Sequence, residues 1–242
     1  VRRVAQTGST NADLAALATS GRGVDGAVLV ADHQTAGRGR QGRVWQDRPA
    51  GSLLVSVLLR ADPAGLGLVP LAAGLAAVSA LAERAGVDAG LKWPNDVLVP
   101  SAGERKLAGI LAEVVASGDR PWVVLGMGCN LTWPDERPGE LADRLVALDE
   151  VAGGDRPSRD ELLDAWLLHL DRRLDQLATA TGRGALVADY RRVCLSLGRQ
   201  IRLDTPAGSV QGRVTGVADD GGLLVDVGGA VRRFDAGDVH HI

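Results

Sequence analysis

Three arginines and three glycines share one short stretch, GRGRQGRVW at residues 37–45. Guanidinium groups are forked cations suited to carboxylate and phosphate. Glycines let a backbone bend closely around a ligand. The stretch therefore reads either as an anion-gripping loop or as a solvated basic loop. Gly37-x-Gly39-x-x-Gly42 spells a dinucleotide-binding turn, but that turn needs a strand directly before it and a helix directly after. Here DHQTA intervenes on one side, and RVWQDRPAGSLLV on the other reads as loop then strand. A P-loop needs Lys and Ser or Thr after its last glycine, where Arg43 and Val44 stand. Neither phosphate cradle fits. Elsewhere, Lys106 is a lone cation in the apolar run RKLAGIL, as a snorkelling strand-edge lysine or a charge aimed into a cleft. GSTN at residues 8–11, KWPND at 92–96 and GMGCN at 126–130 bring further polar groups between apolar segments.

These residues need a scaffold. Thr10 with Asp13 spells a capping box before Leu14 and Leu17, which predicts a helix start. GAVLVAD and SLLVSVLLR read as buried strands on either side of the arginine loop. LVPLAAGLAAVSALAERAG reads as a buried helix. KWPND sits in a strand–turn–strand around Pro94. RKLAGILAEVV and PWVVLGMGCNL read as a hairpin across ASGDR. Ser158 and Glu161 cap the clearest helix, whose Leu162, Trp166, Leu170, Leu174 and Leu177 share a face. A shorter helix ends near Tyr190. Short alternating strands with Gly- and Asp-rich turns follow Cys194, as in a small β-barrel. Two domains are expected, residues 1–192 and 193–242.

The chain has 242 residues, 45% apolar and 24% charged, an ordinary globular balance. Its net charge of −3 argues against a general nucleic-acid surface. The apolar run around Leu68 to Leu81 reads as too short and interrupted to span a membrane. Cys129 and Cys194 match no metal spacing, so a reduced, cytoplasmic protein is expected.

GSTN, QTAGRGRQGRVW, KWPND, RKLAGIL and GMGCN occur in this order, and as a set they resemble the bacterial biotin protein ligases. The resemblance covers essentially the whole chain. It implies an α+β fold: a mixed β-sheet catalytic domain with helices packed on it, class II synthetase-like, then a small SH3-like β-barrel. With GSTN at residue 8, the chain resembles the monofunctional kind that lacks an N-terminal DNA-binding domain. The implied reaction activates biotin with ATP and Mg²⁺ to biotinyl-5′-AMP. It then transfers biotin to a lysine of a biotin carboxyl carrier protein domain. The resemblance implies no tightly bound cofactor. No DNA or membrane partner is expected, and the chain is expected to be a monomer or weak homodimer. The alternatives are a non-catalytic biotin-adenylate or anion-binding module of the same fold, or a lipoate-type ligase.

By the same resemblance Gly37, Arg38, Gly39 and Arg40 cover biotin, and Arg40 and Lys106 flank its carboxylate and the α-phosphate. These two are the expected catalytic pair. Arg43 reaches the phosphates of ATP. Ser9, Thr10, Asn11 and Gln34 offer donors and acceptors to biotin's ureido ring, although Ser9 and Thr10 could simply cap a helix. Gly109 and Gly126 interrupt strands, for a ligand's close approach or for a bulge. Asn95 and Asp96 form a turn beside the nucleotide. Asp96 is expected to orient an arginine or a magnesium-bound water, and no direct metal ligand is assigned. Asn130 is expected to read the adenine edge, and Trp45 to pack as an apolar lid over the closed loop. Cys129 reads as a buried thiol and not a nucleophile. The like charges of the arginines and the entropy of the glycines predict a loop that orders only around an anion.

Overall fold

The first seven residues of β3 (Ser52–Arg60) are all buried, without alternation. A continuous apolar run of this length predicts a strand covered on both faces, and that is its place in the computed structural model. The structure describes residues 1–45, 50–116, 118–133, 143–154 and 156–242. Residues 46–49 of the expected loop and residue 117 of the expected hairpin turn lie outside the described residues. β3 is third in a seven-stranded sheet ordered β1-β2-β3-β7-β6-β5-β4. Its partners are β1 (Arg2–Thr7), β2 (Ala27–Gln34), β4 (Gly90–Lys92), β5 (Asp96–Val99), β6 (Arg105–Ala116) and β7 (Trp122–Asn130). Only β1 and β2 pair in parallel; the other neighbours are antiparallel. The sheet is mixed, as expected.

One face carries α1 (Thr10–Thr19), with Leu14 and Ala18 packed on Leu29, Leu58 and Val124. The other carries α2 (Val69–Ala85) and α3 (Arg159–Leu177), around the larger core. Trp166 of α3 donates its Nε1–H to the Ala73 carbonyl of α2 at 3.2 Å. The stretch Pro63–Ala85 has 23 residues, and an 18-residue window within it has a mean hydropathy of 1.9. By length and composition it could cross a membrane, contrary to the expectation of a run too short to do so. However, 67% of its most apolar 18-residue window is buried inside the protein, so its apolar character serves the core.

One strand was not foreseen, and one local expectation is corrected. β1 has no counterpart in the sequence reading, because RRVAQT is mostly exposed and shows no apolar alternation. Also, α1 is capped by Ser9, which accepts from the Ala12 N–H, and not by Thr10 with Asp13. The Asp13 carboxylate accepts from the Thr7 hydroxyl instead. The cap of α3 is as expected: Ser158 Oγ accepts from the Glu161 N–H at 3.2 Å, and Glu161 accepts from the Ser158 N–H at 2.8 Å. Ser158→Ala should destabilise the protein by about 1 kcal/mol. The urea midpoint measures this, and an unchanged midpoint would show that the box is dispensable.

After α4 (Ala180–Val193) come β8 (Gln200–Thr205), β9 (Gly208–Val217), β10 (Leu223–Val227), β11 (Ala230–Phe234) and β12 (Asp238–His241). They form an antiparallel sheet ordered β11-β10-β9-β8-β12. Its end strands do not pair with each other, so the sheet is open and not the closed barrel expected. Alternation in sequence reports which face is buried, not whether the ends meet.

This small sheet grips the β4–β5 turn. Buried Trp93 donates its Nε1–H to the Gly221 carbonyl at 2.9 Å, and the Leu195 N–H bonds the Leu91 carbonyl at 2.8 Å. Glu104, just before β6, pairs with Arg199 and with His241, the latter at 3.2 Å. The turn carrying KWPND is therefore held from both sides.

Candidate active site

A cleft of about 410 Å³ opens between the ends of β2, β3, β6 and β7, the arginine loop, the KWPND turn and the start of β12. Fourteen of the sixteen sequence-predicted site residues line it: Ser9, Thr10, Asn11, Gln34, Arg38, Gly39, Arg40, Arg43, Trp45, Asn95, Asp96, Lys106, Gly109 and Gly126. Gly37 and Asn130 do not. Gly37 is buried behind the loop, where a Cβ would come within 2.9 Å of the Trp45 carbonyl. Asn130 is buried, and its amide donates to the Val146 carbonyl at 3.2 Å. That bond secures the segment after the cleft wall.

At one end the cleft is neutral and polar. Gln34 Oε1 accepts from the Thr10 backbone N–H at 2.7 Å and lies 3.0 Å from the Thr10 hydroxyl. The Ser56 hydroxyl lies 2.7 Å from Thr10 Oγ1 and 2.6 Å from Asn11 Oδ1. Asn11 Nδ2 donates to Glu113 at 2.8 Å. All but Gln34 and Glu113 are buried. The Cα of Gly126 lies against Asn11, and a Cβ there would overlap Asn11 Oδ1. Gly126→Ala should therefore cost about 1–3 kcal/mol through overpacking, read as a fall in unfolding free energy. Gly154→Ala, where a Cβ meets nothing within 4 Å, is the control. An equal, small effect at both would mean that Asn11 moves aside freely.

The other end is ionic. Asp96 lies between two lysines, 2.7 Å from Lys106 Nζ and 3.3 Å from Lys92 Nζ. Burial pushes its carboxyl up, but Lys106 and Lys92 more than offset this, so the net shift is downward. Arg40 donates to the Gly237 carbonyl at 3.1 Å and to Asn95 Oδ1 at 3.4 Å, and lies 3.7 Å from Asp238. Burial lowers the Arg40 guanidinium from its ordinary value; Asp238 and Asp96 oppose that, and Arg43 adds to it. Asn95 also donates to the Ile110 carbonyl at 2.9 Å, so it pins the turn to β6. Residues 143–145 run beside the start of β6, with the Lys106 N–H bonded to the Arg144 carbonyl at 2.9 Å.

The arginine loop crosses between the two ends. It folds back through an Arg38–Val44 bridge and a short 3-10 turn at Arg40–Gly42. Gln41 within that turn has φ 55°, in the left-handed region. The repulsion expected among the arginines is offset by carboxylates from distant elements. Arg38 lies 3.5 Å from Glu113, and Arg40 and Arg43 both face Asp238. Trp45 lies in the cleft and not over the loop: a Cβ on Gly128 would come within 2.6 Å of its ring, and one on Gly109 within 3.1 Å. Lys106 Nζ is 5.6 Å from the ring centroid. The indole N–H is buried without a partner among the described residues.

Sequence reasoning missed Ser56, Glu113 and Asp238. Ser56 had a weak signal, as a single hydroxyl in an apolar run. Cys129 is buried, and burial pushes its thiol up to about 12, which fits the inert thiol expected.

Residues 4–130 match the biotin/lipoate A/B protein ligase family, and residues 196–241 match the biotin protein ligase C terminal domain. This chain belongs to the biotin protein ligase family. It is 43% identical to the biotin–[acetyl-CoA-carboxylase] ligase of Mycobacterium tuberculosis over 246 residues, which cover 99% of this chain and 88% of that one. It is 34% identical to the enzyme of the same name from Paracoccus denitrificans, over 92% of each. The Aquifex aeolicus biotin protein ligase in complex with biotin and ATP superposes with a TM-score of 0.81, at 29% identity, covering 100% of this chain and 97% of that one. In this biotin protein ligase the neutral and ionic ends of the cleft thus face each other across one arginine loop.

Proposed function

We propose that this chain joins biotin to AMP at the expense of ATP and then passes biotin to a lysine of a biotin carboxyl carrier domain. The named relatives support the enzyme class, and one observation of the site carries the reading. Lys106 and Arg40, from elements far apart in sequence, line the same cleft as the neutral network around Thr10, Ser56 and Asn11. That arrangement suits a ligand with an uncharged ring of N–H and C=O groups at one end and a carboxylate at the other. The ureido ring would face Ser9, Thr10, Asn11, Ser56 and Gln34. The carboxylate would face Arg40 and Lys106, beside the α-phosphate of ATP, with Arg43 toward the outer phosphates.

In the first step a biotin carboxylate oxygen attacks the α-phosphorus. The bond to the β-phosphate oxygen breaks and pyrophosphate leaves. Two anions must meet, so the main contributions are positioning and fixed positive charge in a water-poor cleft. Each cation involved already faces a carboxylate: Lys106 faces Asp96, and Arg40 and Arg43 face Asp238. These carboxylates hold the cations in place until the ligand's own anions compete for them. In the second step the acceptor lysine amine attacks the acyl carbon, and AMP leaves.

Among the described residues no three His, Cys, Asp or Glu side chains come together to hold a metal. Both Asp96 oxygens already face an ammonium group. Among the described residues none is thus placed to hold a magnesium ion alone; one that accompanied ATP would be held mainly by the phosphates, and no step is routed through it. We place the domain division at residues 192/193, at the end of α4. A cytoplasmic location fits the free, buried thiols of Cys129 and Cys194.

Pyrophosphate release from ATP on adding biotin, followed by a mass increase of an added carrier domain, tests the proposal. Tight biotin binding without pyrophosphate release would favour the non-catalytic alternative. Equal activation of lipoate would favour the lipoate-type reading.

A further inference from the structure

We infer that Glu113 is a positioning residue that sets the donor–acceptor polarity of the neutral end of the cleft, and so fixes it to receive ring N–H groups. The inference rests on the ligase reading above and concerns a residue outside the cleft lining.

One oxygen of Glu113 serves two groups: Oε2 accepts from Asn11 Nδ2 at 2.8 Å and lies 3.5 Å from Arg38 Nη2. An ionised carboxylate can only accept. Glu113, at 2.8 Å the nearer partner, and the Leu111 carbonyl 3.5 Å from the same nitrogen therefore dictate which way the buried Asn11 amide faces: Nδ2 toward β6 and Oδ1 toward Ser56. Asn11 Oδ1 is itself an acceptor, so the single Ser56 proton must go to it, across 2.6 Å. Ser56 then has no proton for Thr10 Oγ1, although the two oxygens are 2.7 Å apart. The Thr10 proton goes to Ser56 or to Gln34, and its lone pairs stay turned to the cleft it lines. A carboxylate at the rim thus makes a buried hydroxyl at the centre an acceptor. Each step uses only the proton count of the group involved.

The amide of Gln at position 113 has nearly the shape of the carboxylate but can turn either way. Turned to donate, it reverses the chain: Asn11 donates to Ser56, Ser56 donates to Thr10, and the Thr10 oxygen loses acceptor capacity. Asn11→Ser56→Thr10 is the route, so the effect of Glu113 should vanish when Thr10 can no longer accept.

The test measures biotin-dependent pyrophosphate release by wild type, Glu113→Gln, Glu113→Ala, Thr10→Val and Glu113→Gln/Thr10→Val, with equilibrium biotin binding in the absence of ATP. In Glu113→Gln the biotin KM and Kd should rise about tenfold, while kcat at saturating biotin and the KM for ATP stay within about twofold. Glu113→Ala should show the same split with a larger rise. The double variant should bind biotin about as Thr10→Val does. Multiplicative losses in the double variant, equal rises in both KM values, or an unchanged biotin KM in folded Glu113→Gln would overturn the inference. Wild type that releases no pyrophosphate would instead refute the ligase reading itself.

Discussion

Lys106→Ala is expected to remain folded and to lose about 10²–10³-fold in biotin-dependent pyrophosphate release. Lys106 is the second residue of β6, where its backbone N–H and carbonyl bond Arg144 and Val146. Those bonds survive truncation, so the strand stays in register. The lost ammonium is the one that faces both the Trp45 ring and Asp96. Without it, negative charge developing at the α-phosphate meets one fewer fixed cation, and the half-buried Asp96 carboxylate loses the nearer of its two lysine partners. Asp96 therefore gives a second readout. In the wild type its folded pKa is depressed, so its contribution to stability is present above the unfolded pKa and disappears as pH falls through the folded value. In Lys106→Ala the nearest cation opposing burial is gone, so that pKa rises and stability is lost at a higher pH than in the wild type. Near-normal pyrophosphate release by folded Lys106→Ala, with an unmoved acid transition, would refute both assignments.

The residues that were legible in the sequence signal through local pattern. The arginine loop, Lys106 and Asp96 stand out as charges in glycine-rich or apolar surroundings, and charge in such a place needs a reason. Helix α3 announced itself by period and cap. The groups that were missed are those whose role comes from tertiary pairing. Glu113 alternates normally along β6, and nothing local says that it meets Asn11, 102 residues away. Asp238 meets Arg43 across 195 residues. Asn130 is the converse case: its motif pointed to a ligand, while in the structure it is buried off the cleft lining with its amide on the Val146 carbonyl. β1 was missed because a mostly exposed strand has no apolar face to reveal it. Closure of the small sheet was misjudged because register, unlike period, is not written in a single strand.

Arg40→Gly should produce an enzyme that still makes biotinyl-AMP but lets it escape, so that lysines of bystander proteins become biotinylated. Among the described residues of the loop, Arg40 is the arginine that ties three elements together: the loop, Asn95 of the β4–β5 turn, and Gly237 with Asp238 at the start of β12. Removing it takes away each of these links and adds a fourth glycine to residues 37–42, which raises the entropy cost of ordering the loop. A closed loop shields the mixed anhydride from water and from foreign amines; an untied loop does neither. Lys106 and Asp96 are untouched, so adenylation should fall less than in Lys106→Ala. The measurement is biotin on an added protein that contains lysines but no carrier domain, with ATP and biotin present. Wild type should leave that protein unlabelled, whereas Arg40→Gly should label it in proportion to the biotinyl-AMP found free in solution. Hydrogen exchange of residues 37–45 should show more protection with biotinyl-AMP in the wild type and little gain in Arg40→Gly. Labelling confined to the carrier domain in both proteins would mean that Arg40 serves only the chemistry and that other contacts retain the intermediate.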